Sequence, residues 1–150
     1  MEWKLELVSI PVSDVDRAKA FYTEKAGFDE DLDHKSSDEF RVVQLTPPGS
    51  ACSIAIGTGI IDTPPGSVQG LQLVVPDIAE AHAQLVERGV EVSEIQALGG
   101  DENALRQGGT ALDNVGFVFF RDPDGNGWAV QQISARGSVS PPAAATAEIG

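Results

Sequence analysis

The chain has 150 residues, one ordinary domain's worth, and sets 10 Lys and Arg against 23 Asp and Glu for a formal net charge of −13. That field repels phosphate backbones, so nucleic acid and anionic membranes are excluded as natural partners. The lone cysteine, Cys52, excludes an intramolecular disulfide, and with no basic leader or long apolar run the expected setting is the cytoplasm.

Taken in order, Trp3 to Val12 is apolar overall and predicts a strand covered on both sides or nearly so. Asp14 caps a helix expected to run to about Ala26, with Val15, Ala18 and Tyr22 on one face and Gly27 in the stop position. Asp29 to Glu39 is acidic and predicts a weak strand that turns around Lys35 to Asp38. Phe40 to Leu45 is a strand entering a hairpin, whose turn is Thr46-Pro47-Pro48-Gly49-Ser50 and whose second arm is Cys52 to Ile56. Gly57 to Ser67, with Pro64-Pro65-Gly66 at its centre, is a linker.

The second half repeats the first. Gly70 to Asp77 matches Leu7 to Asp14 at a shift of 77 − 14 = 63, and Ile78, Ala81 and Leu85 stand where Val15, Ala18 and Tyr22 stood. Asp77 caps a helix to Arg88, with Glu80 expected to complete a capping box. Val90 to Ile95 predicts a strand, and Gly116 to Phe120 and Trp128 to Ile133 predict the arms of a second hairpin. Its turn, Asp122-Pro123-Asp124-Gly125-Asn126, copies the first at a shift of 122 − 46 = 76. Ala97 to Asn114 breaks the repeat and is expected to be a binding or lid loop, or simply mobile. Each half thus runs β, α, β, β, β, about residues 3–57 and 68–133 of one domain spanning 1–133; the Ala-, Ser- and Pro-rich 134–150 is expected to be a disordered tail.

The paired βαβββ modules, Val12-Ser13-Asp14-Val15-Asp16-Arg17-Ala18, Phe21-Tyr22, Gly27-Phe28 and the Asp122 to Asn126 turn resemble the vicinal oxygen chelate superfamily. That group takes in glyoxalase I, bleomycin-resistance proteins, extradiol dioxygenases and methylmalonyl-CoA epimerase. The resemblance covers roughly residues 3–133 and implies an α+β fold whose two modules curl into a half-barrel around a cleft, often as a homodimer. In the metal-dependent members His, Glu or Gln side chains hold a divalent cation there, a Lewis acid for an enediolate-like anion. The matching positions here are Leu7, Gly70, Ala129 and Ser53, of which only serine carries a donor, and a poor one. A slip of one or two residues brings in only the neutral amides Gln72, Gln131 and Gln132. No metal ligand and no cofactor is therefore expected.

Period-two alternation puts Leu7, Ser9 and Pro11, Gly70, Gln72 and Val74, and Ser53, Ala55, Ala129 and Gln131 on the faces that the resemblance assigns to the cleft. We single out Leu7, Ser9, Ser53, Ala55, Gln72, Ala129 and Gln131 as ligand-binding residues: an apolar wall with a few hydroxyls and amides suits a small, largely apolar organic ligand. Ionisable groups able to serve general acid-base chemistry come only from the insertion, as Asp101, Glu102, Arg106 and Asp113. His34 reads as part of a solvated acidic patch and His82 as an exposed helix residue turned away from the Ile78, Ala81, Leu85 stripe. Trp128, Phe117, Phe119 and Phe120 are expected in the core, and Cys52 buried toward the helices. The sequence thus favours a small-molecule binding protein of the bleomycin-resistance kind. The alternatives are a metal-dependent lyase or dioxygenase of the same superfamily, or a metal-independent isomerase using loop residues.

Overall fold

The computed structural model describes residues 1–135. Two four-stranded sheets follow one another along the chain, neither closed into a barrel. The first holds β1 (Leu7–Ser9), β2 (Asp29–Ser37), β3 (Phe40–Thr46) and β4 (Ser53–Thr58) in the order β1-β4-β3-β2. The second holds β5 (Leu71–Val75), β6 (Gln96–Ala97), β7 (Gly116–Arg121) and β8 (Gly127–Gln132) in the order β5-β8-β7-β6. In each, the first strand runs parallel to the last and the other pairings are antiparallel, so the repeat in sequence is a repeat in topology.

The caps are where the residues place them. Asp14 accepts from the Arg17 amide to start α1 (Val15–Ala20), which widens into a π turn over Phe21–Lys25 closed by the Ala26 amide on the Phe21 carbonyl. Gly27 then takes φ +81, the left-handed region open to glycine. Asp77 accepts from the Ala79 and Glu80 amides to start α2 (Ile78–Glu87). The expected capping box is only half made, because the Glu80 carboxylate accepts from Gln84 one turn on instead of reaching back.

Other expectations give way. The strand expected over Trp3 to Val12 shrinks to Leu7–Ser9, leaving Trp3 88% and Leu5 69% exposed. β2 runs on through Lys35 to Ser37 before it turns. The strand expected over Val90 to Ile95 is absent: the Ser93 hydroxyl, not a backbone carbonyl, receives the Phe119 amide, so ladder pairing with β7 is delayed until Gln96. The insertion is partly built in, as the short helix α3 (Ala104–Gln107) and a 3-10 turn (Gly109–Leu112) bury Ala104 and Leu112. Most of the segment expected to be a disordered tail lies outside the described residues.

One core joins the inner faces of both sheets. Val43, Leu45, Ile54 and Ile56 come from the first, Val118, Phe120, Trp128 and Val130 from the second, and Ile10, Tyr22, Ile78 and Leu85 fill between. Burying each such side chain contributes roughly 1.5–3 kcal/mol. Tyr22 is the joint between modules. Its hydroxyl donates to the Asp122 carboxylate at 2.8 Å and accepts from the Trp128 indole at 2.9 Å, while Phe28 and Phe21 pack against its ring.

Asp122 also accepts from the Asp124 and Asn126 amides and from the Asn126 side chain, which in turn donates to the Pro11 carbonyl and accepts from the Val68 amide. Every partner of this sealed network is satisfied, as burial demands. Burial first, and then the Asp122 charge, push the Tyr22 phenol far above its ordinary value of 10.0. The fold therefore holds the neutral phenol: this contribution to stability is complete below about pH 10 and is lost as pH rises beyond it. Tyr22 is the chain's one tyrosine, so an alkaline ultraviolet titration reports it alone. The phenolate spectrum is expected only together with loss of near-ultraviolet circular dichroism; a free phenolate in a folded chain near pH 10 would contradict this burial.

Candidate functional site

Each sheet has a second face turned away from that core, and these two faces carry the seven residues singled out from the sequence. On the first sheet the register pairs Leu7 with Ser53 and Ser9 with Ala55, so all four share one face. Ser53 and Ala55 are only 6% and 3% exposed. The Ser53 hydroxyl is held by Gln44 at 3.2 Å and by Thr46 at 2.7 Å, and Thr46 is bonded in turn to the Asp31 carboxylate. His34 is exposed on this same face, opposite Val42 on β3, and so does belong to a strand of the open surface.

On the second sheet Gln72 pairs with Ala129, and Val74 with Gln131. Gln72 donates to Gln131 at 2.7 Å, and Gln131 donates to the Asn114 carbonyl at 2.9 Å. Phe117 and Phe119 stand beside them, half-buried and stacked at 5.9 Å with planes 4° apart. That corrects their expected place in the core: Val118 and Phe120 point inward, so their neighbours must point out. Among the described residues no hydrogen bond or ring contact joins the two open faces.

These residues do not fit the superfamily's cation. Leu7, Gly70 and Ala129 have no donor atom, and the Ser53 hydroxyl is committed to its neighbours. Gln132, the slipped candidate, faces the core, where its amide holds the Ile78 amide, the Gly109 carbonyl and the Asp113 carboxylate. Among the described residues no group of three or more His, Cys, Asp or Glu side chains is arranged to hold an ion. No chemical step is therefore derived through a metal.

The largest of the cavities described, about 770 Å³, opens where the β7–β8 hairpin, the π turn after α1 and the turn after α2 converge. Four aromatic side chains line it: Trp128 and Phe120, stacked at 6.0 Å and 2°, with Phe21 and Phe119. Of the seven predicted residues only Ala129 lines it, and none of the seven lines the three smaller cavities. Two wall residues went unnoticed in the sequence, Lys25 at the end of the π turn and Arg121 at the end of β7. Arg121 was findable, since the pairing Arg121 with Gly127 puts it on the open face with Phe117 and Phe119. Lys25 was not, because its place depends on how the modules dock.

The loop candidates are spoken for or distant. Asp101 accepts from the Asn103 amide, and Asp113 accepts from the Ser134 hydroxyl, the Gln132 side chain and the Ser134 amide, which together hold its carboxyl below the usual range. Glu102 and Arg106 are exposed, and none of the four lines a described cavity. His82 is half-buried rather than exposed: at i, i+4 and i+7 it shares the face of Ile78 and Leu85, and it lines a 300 Å³ cavity with Glu94, Leu105 and Leu112. Cys52 is also half-buried, its amide tied to the Ser50 hydroxyl just before β4.

Comparison with known proteins agrees with this architecture. The profile of the Glyoxalase/Bleomycin resistance protein/Dioxygenase superfamily matches residues 4–130. TnmS3, an antibiotic binding protein from Streptomyces sp. CB03234, is 32% identical, with 89% of this chain and 98% of that chain covered at a TM-score of 0.69. A superfamily member from Sphaerobacter thermophilus DSM 20745 is 28% identical, covering 87% and 98% at a TM-score of 0.68. The uncharacterized protein YetH of Bacillus subtilis (strain 168) is 30% identical over 122 residues, which is 79% of this chain and 89% of YetH. With a family profile spanning nearly all of the described residues and its fold in both sheets, the chain belongs to the Glyoxalase/Bleomycin resistance protein/Dioxygenase superfamily.

Proposed function

We propose that the chain binds a small, largely apolar organic molecule in the 770 Å³ cavity, with no metal ion or cofactor taking part. The observation that carries this reading is the aromatic lining, to which the half-buried Phe21 and Phe119 and the buried Phe120 and Trp128 all contribute. A cavity of that size is within the range of drug-sized ligands, and flat rings gain from stacking on such walls. The antibiotic-binding relative supports the same class of ligand. Of the loop carboxylates that an isomerase would use, Asp101 and Asp113 are committed to backbone, serine and glutamine partners and Glu102 stands away from the described cavities, which favours binding over turnover.

The proposal extends to a cytoplasmic homodimer. β1 and β5 each end a sheet with an unpaired edge, and the exposed Trp3 and Leu5 precede β1, so a second copy has apolar surface to cover. A purely monomeric sedimentation profile would remove that part.

Calorimetric titration of chelator-treated protein with 2-naphthamide, a flat uncharged aromatic, tests the binding itself. Phe119→Ala is expected to weaken it about tenfold at a smaller cost in stability than a core aromatic would carry, since Phe119 is only partly buried. Unchanged affinity in that variant, or affinity that returns only with added metal, would overturn the reading. So would turnover of the glutathione hemithioacetal of methylglyoxal.

A further inference from the structure

From the charges on the wall of this cavity we infer that its ligand is an aromatic acid, a flat ring system bearing a carboxylate or a phenolate that Lys25 and Arg121 receive. The inference rests on the proposed binding function and names its ligand class. In a chain with 23 acids to 10 bases, a basic side chain is expected to find a carboxylate. Among the described residues Lys4, Arg17, Lys19, Lys35 and Arg41 do, each in an ion pair. Lys25, Arg88, Arg106 and Arg121 are in none among the described residues, and of these four Lys25 and Arg121, both exposed, line the cavity.

The carboxylates on that wall leave them free. Asp122 is 5% exposed, and its two oxygens already accept from the Tyr22 hydroxyl, the Asp124 and Asn126 amides and the Asn126 side chain. Glu91 is exposed on the wall and opposes only part of the positive charge. Behind the wall a third cation adds to it, because the Arg88 guanidinium donates to the Lys25 and Ala26 carbonyls at 3.4 Å. The result is two cations without a carboxylate partner in the lining of an aromatic cavity, in an otherwise strongly acidic molecule. An uncharged ligand would leave both cations unused, and a cationic one would meet repulsion. A negatively charged oxygen gains charge-assisted hydrogen bonds from Lys25 and Arg121, while its ring packs against the aromatic lining of the same cavity.

Calorimetric titration of the full chain with 2-naphthoate, 2-naphthamide and 2-naphthylmethylammonium tests this, since the probes differ only in the charge of one substituent. The acid is expected to bind about tenfold more tightly than the amide, and the ammonium most weakly. In the Lys25→Met, Arg121→Met double variant that preference disappears while the amide keeps its affinity within about twofold, and in the parent the preference narrows as salt is raised. Both positions are exposed, so the variant is expected to fold, which far-ultraviolet circular dichroism checks. Equal binding of acid and amide, tighter binding of the ammonium, or an acid preference that survives the double variant would overturn the aromatic-acid assignment and leave the cavity's binding role standing. Binding of none of the three would overturn both.

Discussion

Asp122→Ala lowers the unfolding free energy by about 3–5 kcal/mol, seen as a fall in the urea midpoint with an unchanged slope. The magnitude follows from what is left behind. Four donors lose their acceptor at once: the Tyr22 hydroxyl, the Asn126 side chain and the Asp124 and Asn126 amides. Three of them belong to residues with no exposed surface, Tyr22 and Asn126, so water cannot take the carboxylate's place without opening the joint between modules. Asn at this position recovers only part, because its amide presents hydrogens where an oxygen accepted. The control is Thr46→Ala at the equivalent place in the first hairpin, whose side-chain hydrogen bonds are exposed or part-buried; about 1 kcal/mol is expected there. A loss for Asp122→Ala no larger than that of the control would refute the network as the tie between halves.

Trp128→Ala costs a comparable 3–5 kcal/mol, by a different route, and weakens 2-naphthamide binding at least tenfold. The indole is 4% exposed and packs against Tyr22, Phe28 and Phe120 at centroid distances of 5.8, 5.6 and 6.0 Å. Its removal leaves a hole between rings that come from both modules and cannot collapse without shifting them. Trp128→Phe separates the two roles of the side chain: it keeps a flat floor but deprives the Tyr22 hydroxyl of its donor, for about 1 kcal/mol. Thermal unfolding and titration of both variants check these values. Parent-like stability in the alanine variant would mean that the indole is not part of the core.

How much of this was legible in the sequence depends on the range over which each feature is decided. Both hairpins and both Asp caps are settled within a few residues, by proline, glycine and short polar side chains, and they stand as expected. The faces of β7 were harder. Gly116-Phe117-Val118-Phe119-Phe120 has no polar residue to mark its outer side, so alternation alone could not say which aromatics face out. His82 was misplaced by taking i, i+3 and i+7 as the whole helix face when i+4 belongs to it as well. The missing strand before Gln96 turns on one serine hydroxyl meeting β7 from a distant part of the chain. The cavity was hidden for the same reason, since Phe21 meets Phe120, and Lys25 joins the lining that holds Trp128, only once the first module's helix has docked on the second module's sheet.

The two hairpin turns also show why likeness between the halves is a poor guide to what each half tolerates. Ser50 and Asn126 hold the same place in their turns, yet one is open to solvent and the other has no exposed surface, bridging Pro11 and Val68. Beside it, Ser13 donates its amide and hydroxyl to Asp124 at 3.1 and 2.6 Å. The later turn is thus a clasp fastened onto the start of the earlier helix, and its counterpart is a plain bend. Severed from its neighbour, the second half would be left with an unfastened clasp and a bare patch of rings, which makes the pair inseparable despite its repeated plan.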